Sequence, residues 1–142
     1  FGFIALTQVN QFLTSRFRLV QLLRFGALMQ LVSASCLLVL ALTGLAYFPL
    51  VFMAIFCCIS GLGFTQPNAT AIALAYQKKR AGMASAMQGA LQFSVGIFGG
   101  LLLSLFDVSP VLKLGIVITA LVAIGTFLVY RLDPKMDLSK MD

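Results

Sequence analysis

The chain has 142 residues, of which 61% are hydrophobic and only 10% are charged. Soluble domains usually carry about a quarter charged residues, so the composition excludes an ordinary water-soluble fold and indicates an integral membrane protein. The net charge of +6 does not indicate a nucleic-acid partner, because the basic residues stand at the ends of apolar segments, where they suit anionic lipid headgroups.

The residue types also argue against an enzyme and against a metal or cofactor site. The chain has no histidine, and its three cysteines lie in apolar runs: Cys36, Cys57 and Cys58. Its four acidic residues are Asp107, Asp133, Asp137 and Asp142. Histidine-based metal sites and Ser-His or Cys-His pairs are therefore excluded within this chain, and we expect no disulfide framework.

The first two predicted elements are a partial helix and a basic connector. Residues 1–13 are apolar but shorter than the roughly 20 residues that a span needs, so we interpret them as the end of a truncated transmembrane helix, and we expect no signal peptide. The helix carries Asn10, whose amide would be costly against lipid, so we predict that it faces protein or a water-filled cavity and is a candidate substrate-binding residue. Residues 14–24 contain Arg16, Arg18 and Arg24 and predict an amphipathic connector at the membrane interface.

Residues 25–77 carry no charge and are too long for one span. Gly44 and the Tyr47-Phe48-Pro49 sequence predict a turn, which gives a second helix over 25–46 and a third over 49–76. The third contains Pro67, where we expect a kink. Gln66 and Asn68 flank this proline at membrane depth, where uncompensated amides are costly, so we predict that both face a cavity and bind substrate.

The fourth helix is predicted over 81–106 and the fifth over 111–130. Small and amide residues recur on one face of the fourth helix at intervals of three and four. This face includes Ser85, Gln88, Gly89, Gln92, Gly96 and Gly100. The four small residues predict close helix packing. For Gln88 and Gln92 two interpretations stay open, a translocation path or hydrogen bonds between helices.

Charge distribution predicts the topology. Nine of the ten Lys and Arg residues fall in the first connector, in Lys78-Lys79-Arg80, or in the tail after residue 130. The positive-inside rule places these three regions in the cytoplasm. The predicted fold is thus all-α and integral to the membrane, with five segments.

The central part of the chain resembles a known transporter family. The similar residues are Gly61-x-Gly63-x-x-x-Pro67-Asn68-Ala69, Arg80-Ala-Gly-x-Ala-Ser-Ala86, Gly89-x-Leu-Gln92-Phe93, Ser15-Arg16-Phe17 and Arg24-Phe-Gly26. They resemble the C-terminal half of Bcr/CflA-type drug:proton antiporters of the major facilitator superfamily. The chain departs from that pattern at Met83, where threonine is common, and at Ile4, where an amide is common.

The resemblance implies that residues 1–142 correspond to helices eight to twelve of a twelve-helix transporter that works by alternating access. The expected function is proton-coupled efflux of drugs or similar small amphipathic solutes across a cell membrane, the bacterial inner membrane by implication, with a cytoplasmic C-terminus. The expected partners are the lipid bilayer, a small-molecule substrate and a missing N-terminal half. The proton-binding group is expected in that half. A non-transporting membrane scaffold or assembly partner is the alternative.

Overall fold

The computed structural model describes residues 2–14, 16–76, 80–105 and 107–131. All regular secondary structure within these ranges is helical. The helices are α1 (Gly2–Leu13), α2 (Leu19–Leu42), α3 (Phe48–Tyr76), α4 (Ala81–Leu105) and α5 (Pro110–Arg131). By length and composition, α2, α3, α4 and α5 are each long and apolar enough to cross a membrane. The all-helical prediction is confirmed, and the five predicted segments each contain one helix.

Helix α2 begins at Leu19 rather than at Phe25, so most of the predicted interfacial connector is helical. Three apolar side chains in that stretch are buried: Val20, Leu22 and Leu23. Val20 and Leu23 pack with Ile72 of α3, and Val129 of α5 lies against this cluster. The arginines in the sequence predicted a segment at the membrane interface. Contacts with α3 and α5 instead extend helix α2 through most of that segment. Only residues 14–18 remain as the connector between α1 and α2.

The end of α2 has a local cause. Thr43 donates a hydrogen bond from Oγ1 to the Val39 carbonyl at 2.9 Å, and Gly44 follows with φ of +72°. A left-handed conformation suits glycine because it has no Cβ. The helix therefore stops at Leu42, before the predicted Ala46, and α3 starts at Phe48.

Helices α2 and α3 are antiparallel and approach closely at two glycines. A Cβ on Gly26 would lie 2.7 Å from Cβ of Phe64, and a Cβ on Gly61 would lie 2.6 Å from Cγ of Gln30. Both distances are too short for real side chains, so glycine is what allows this approach. The pairs run in opposite order along the two helices, which fixes their antiparallel register.

Helix α5 also packs antiparallel against α2. Thr119 donates from Oγ1 to the Ala34 carbonyl at 2.9 Å, and Thr126 donates to the Ala27 carbonyl at 3.3 Å. A Cβ on Gly115 would lie 3.1 Å from Cα of Leu38. Helix α2 therefore forms the centre of the described bundle, with α3 and α5 against it and α1 against α3.

Helix α4 is the most exposed of the four long helices. Gly99 is its one fully buried residue, and a Cβ there would lie 3.5 Å from Cδ1 of Leu121 in α5. Large apolar side chains such as Phe93 and Leu105 are more than three-quarters exposed. A lipid or protein environment around this helix would accommodate them without cost.

The alternating helix directions place most of the described basic residues at or near one end of the bundle. Arg18 precedes α2, Arg80 precedes α4 and Arg131 ends α5, so all three lie at the end opposite to Lys113. Lys78, Lys79 and the tail from residue 132 lie outside the described residues. This difference in charge between the two ends of the bundle agrees with the predicted topology. That the basic end faces the cytoplasm stays a prediction.

Candidate functional site

A cavity of about 430 Å³ lies between α2, α3, α4 and α5. Its described lining combines aliphatic side chains with amides and hydroxyls, and it includes no charged or aromatic side chain. The polar lining residues are Gln30, Thr65, Gln66, Gln88, Gln92 and Thr126. Pockets of roughly 300–1,000 Å³ with a few polar groups in an apolar wall are typical of small-molecule sites.

Three of the five sequence-predicted substrate residues meet at this cavity: Gln66, Gln88 and Gln92. Gln66 and Gln88 are half-buried and Gln92 is exposed. The Gln88 side chain is oriented by α3, since its Nε2 donates to Oγ1 of Thr70 at 2.6 Å. Thr70 in turn donates to the Gln66 carbonyl at 2.9 Å. These contacts hold the Gln88 amide of α4 against α3, whose Gln66 side chain lines the same cavity.

Asn10 and Asn68 lie elsewhere and bind each other. Asn68 is 1% exposed and Asn10 is 2% exposed. Asn68 donates from Nδ2 to Oδ1 of Asn10 at 2.8 Å, which joins α1 to α3. Neither side chain lines the cavity. Their contact is of the kind that holds helices together in membranes, and substrate binding by either of them stays a prediction.

Pro67 lies within α3, which continues on both sides of it. Proline lacks an N–H group, and its ring disturbs the preceding helical turn. Asn68 donates a second hydrogen bond from Nδ2 to the Phe64 carbonyl at 2.6 Å, within its own helix and in the turn before it. Asn68 Oδ1 is buried and has no hydrogen-bond partner among the described residues.

The predicted packing face of α4 is open in this chain. Ser85, Gly96 and Gly100 are exposed and Gly89 is half-buried. A Cβ on any of these three glycines would meet no atom of another element within 4 Å. Gln88 of the same face contacts α3, but no described helix of this chain covers these four small residues. Their packing role stays a prediction that concerns another protein surface.

Sequence reasoning missed two groups of residues. It did not assign Gln30, Thr65 or Thr126 to the cavity, although a lone amide such as Gln30 in the uncharged segment 25–77 satisfies the criterion that identified Gln66. It also missed the glycines that bring the helices together, Gly26, Gly61 and Gly115. An isolated glycine within a helical apolar run was the available signal.

The predicted topology residues lie at the bundle end or close to it. Arg16 and Arg18 are exposed in the first connector. The Arg24 guanidinium carbon lies 5.2 Å from the centre of the Tyr130 ring, a cation–π distance that ties α2 to α5. Arg80 is exposed and lines a second cavity. Lys78 and Lys79 are outside the described residues.

The chemistry available at the 430 Å³ cavity is hydrogen bonding and apolar contact. Amide and hydroxyl groups donate and accept but do not titrate in the physiological range. Within the described ranges, no three His, Cys, Asp or Glu side chains come together as a metal site would require. The arrangement suits reversible binding of a small molecule.

No protein-family model, no curated protein and no solved structure matches this chain.

Proposed function

We propose that this chain is part of a secondary transporter of the major facilitator type, resembling the C-terminal half of the Bcr/CflA drug:proton antiporters. The observation that carries the proposal is the cavity of about 430 Å³ between four helices long enough to span a membrane. Gln66, Gln88 and Gln92 line it. Amides at membrane depth are costly unless they meet protein, water or a ligand, and a transported solute is such a ligand.

The lining defines how a substrate would be held. Aliphatic side chains such as Leu62 and Leu121 supply apolar contact, and the glutamines supply hydrogen bonds. Such a wall suits small amphipathic solutes, including drugs, whose polar groups donate or accept hydrogen bonds. Binding needs to be moderate, because a transporter must also release its substrate.

Energy coupling belongs to another part of the transporter in this proposal. A proton carrier must titrate within reach of both sides, which normally requires Asp, Glu or His inside the bundle. The described lining of the cavity has none, and Asp107 is exposed in the connector between α4 and α5. An N-terminal half would supply the proton site and would pack on the open faces of α1 and α4.

The direct test is flux in proteoliposomes that contain the complete transporter. A panel of radiolabelled uncharged and cationic amphipathic drugs would be offered with an imposed proton gradient. We expect accumulation of at least one compound, abolished by a protonophore.

Gln66→Leu and Gln88→Leu should raise KM about tenfold, the equivalent of about 1.4 kcal/mol of lost binding. Gln21→Leu, at the start of α2 and outside the cavity lining, is the matched control and should leave KM unchanged.

A non-transporting scaffold is the second candidate. The buried pair of Asn10 and Asn68 favours it, because these amides join helices rather than face the cavity. A scaffold would show no gradient-driven flux of any compound in the panel, and the two glutamine substitutions would leave assembly with its partner intact. That outcome would exclude the transporter proposal.

A further inference from the structure

A second cavity, of about 480 Å³, lies between the C-terminal part of α3 and the first half of α4. Its lining includes Ala73, Arg80, Met83, Met87, Gln88 and Leu91. It differs from the first cavity in having a charged side chain, Arg80, at one end.

The distribution of polar and apolar groups along this cavity matches that of a membrane amphiphile. Arg80 stands immediately before α4, and Met83, Met87 and Leu91 continue the lining along the helix. From Arg80 to Leu91 the helix rises about 16 Å, about half of a hydrocarbon core that is about 30 Å thick. The cavity therefore has a cationic end at the interface and an apolar wall that extends through about one leaflet.

The charge at the interface selects an anionic headgroup. Arg80 is the last of three consecutive basic residues in the sequence, and no acidic residue lies in the first turn of α4. The N-terminus of a helix also favours an anion because of its unpaired N–H groups and its dipole. The described acidic residue, Asp107, lies at the opposite end of α4. A phosphate would meet no opposing charge from the described residues here.

The apolar wall suits an acyl chain. Methionine side chains are flexible and polarizable, so they adapt to chains of variable shape, and Met83 and Met87 are both more than half exposed. Gln88 is the other polar lining residue, and its Nε2 already donates to Thr70. An occupant of this cavity therefore needs few hydrogen-bonding groups along the apolar wall.

We propose that this groove between α3 and α4 binds one anionic phospholipid of the surrounding bilayer. The phosphate lies at Arg80 and one acyl chain lies along Met83, Met87 and Leu91. This site is independent of the proposed transport function, since a scaffold would hold the same lipid.

The absence of tryptophan from the sequence allows a clean fluorescence test. A Met87→Trp variant of the full chain would be reconstituted with increasing fractions of phosphatidylglycerol or phosphatidylcholine brominated at mid-chain. We expect the brominated anionic lipid to reach a given extent of tryptophan quenching at a mole fraction at least threefold lower than the brominated zwitterionic lipid needs for the same extent.

An Ile124→Trp variant is the matched control. Ile124 is exposed on α5, stands outside both cavity linings, and is seven residues from Arg131, as Met87 is from Arg80. Its quenching should depend much less on the headgroup, because it samples ordinary boundary lipid near a basic residue.

Charge substitutions in the Met87→Trp background complete the test. Arg80→Gln should abolish the headgroup preference, Arg80→Lys should retain most of it, and Arg131→Gln should leave it unchanged. Equal quenching by both lipids in Met87→Trp, or an equal preference at Ile124→Trp, would overturn the proposal. So would a preference that survives Arg80→Gln.

Discussion

Gln88 of α4 donates a hydrogen bond from Nε2 to Oγ1 of Thr70 in α3, and the two atoms lie 2.6 Å apart. Gln88 lines both cavities, so this bond lies where they meet. Helix α4 is otherwise mostly exposed. The contact between these two residues therefore contributes to where α4 lies against α3.

The first prediction concerns this bond. Thr70→Val keeps the shape of the side chain but removes the hydroxyl that accepts from Gln88. We expect faster hydrogen exchange in α4 with little change in α2, and a loss of stability near 0.6 kcal/mol, about the average for such bonds measured in a membrane protein. Ser94→Ala is the control, because Ser94 is exposed and donates within its own helix, to Ala90. Equal exchange in the two variants would contradict the prediction.

A second prediction separates Asn68 from Gln66. Asn68→Ala should destabilise the protein by about 1–3 kcal/mol, because it leaves buried polar groups without partners. Asn10→Ala should cost a similar amount, and the double variant should cost less than the sum. Thermal unfolding in detergent measures all three. Gln66→Ala should change stability little, since its side chain is half-buried beside the cavity. Additive losses at Asn10 and Asn68 would show that the pair does not act as a unit.

Glycine positions give the third prediction. Gly26→Ala places a Cβ 2.7 Å from Cβ of Phe64, and neither atom can turn away because both are attached to backbone. The helices must separate, and we expect a loss of about 1–3 kcal/mol. Gly96→Ala is the control, since its new Cβ meets nothing within 4 Å and alanine favours the helix. A Gly26→Ala protein as stable as Gly96→Ala would exclude the close approach of α2 and α3.

The open face of α4 gives the fourth prediction. In the complete transporter, Gly96→Leu and Gly100→Leu should lower stability or transport, because a second half would pack on this face. The measurements are thermal unfolding and drug flux. If both replacements were silent, the face would contact lipid instead.

The fifth prediction concerns topology. In a background without Cys36, Cys57 and Cys58, a cysteine at Phe17 and one at Ser109 should react with a membrane-impermeant thiol reagent from opposite sides. The antiparallel register of the long helices places these exposed connectors at opposite ends of the bundle. Positive-inside charge predicts that Phe17→Cys reacts from the cytoplasmic side. Labelling of both from one side would contradict the arrangement.

The helices could be predicted because charge, hydropathy and turn residues mark their ends locally. Phe48–Tyr76 and Ala81–Leu105 differ by one residue from their predicted ranges. The start of α2 could not be predicted in the same way. Arg18 and Arg24 indicated an interface, whereas burial of Val20 and Leu23 against α3 and α5 depends on contacts between distant parts of the chain.

The cavity was predictable only in part for a related reason. The cost of an amide in a membrane identified Gln66, Gln88 and Gln92, and these three meet at one cavity. The same criterion selected Asn10 and Asn68, which bind each other instead. Whether an amide meets a cavity or another amide depends on the rotation and register of two helices, and neither is encoded in the local pattern of one helix.

The contact between α2 and α5 has a consequence for biosynthesis. Thr119 and Ala34 are joined by a hydrogen bond although 85 residues separate them in the sequence. Domains are made from the N-terminus at about 5–20 residues per second, so α2 enters the membrane seconds before its partner has been translated. During that interval its small-residue surface around Ser33 and Ala34 must lie against lipid or against the insertion machinery. A chain truncated before α5 would leave that surface permanently without this helix.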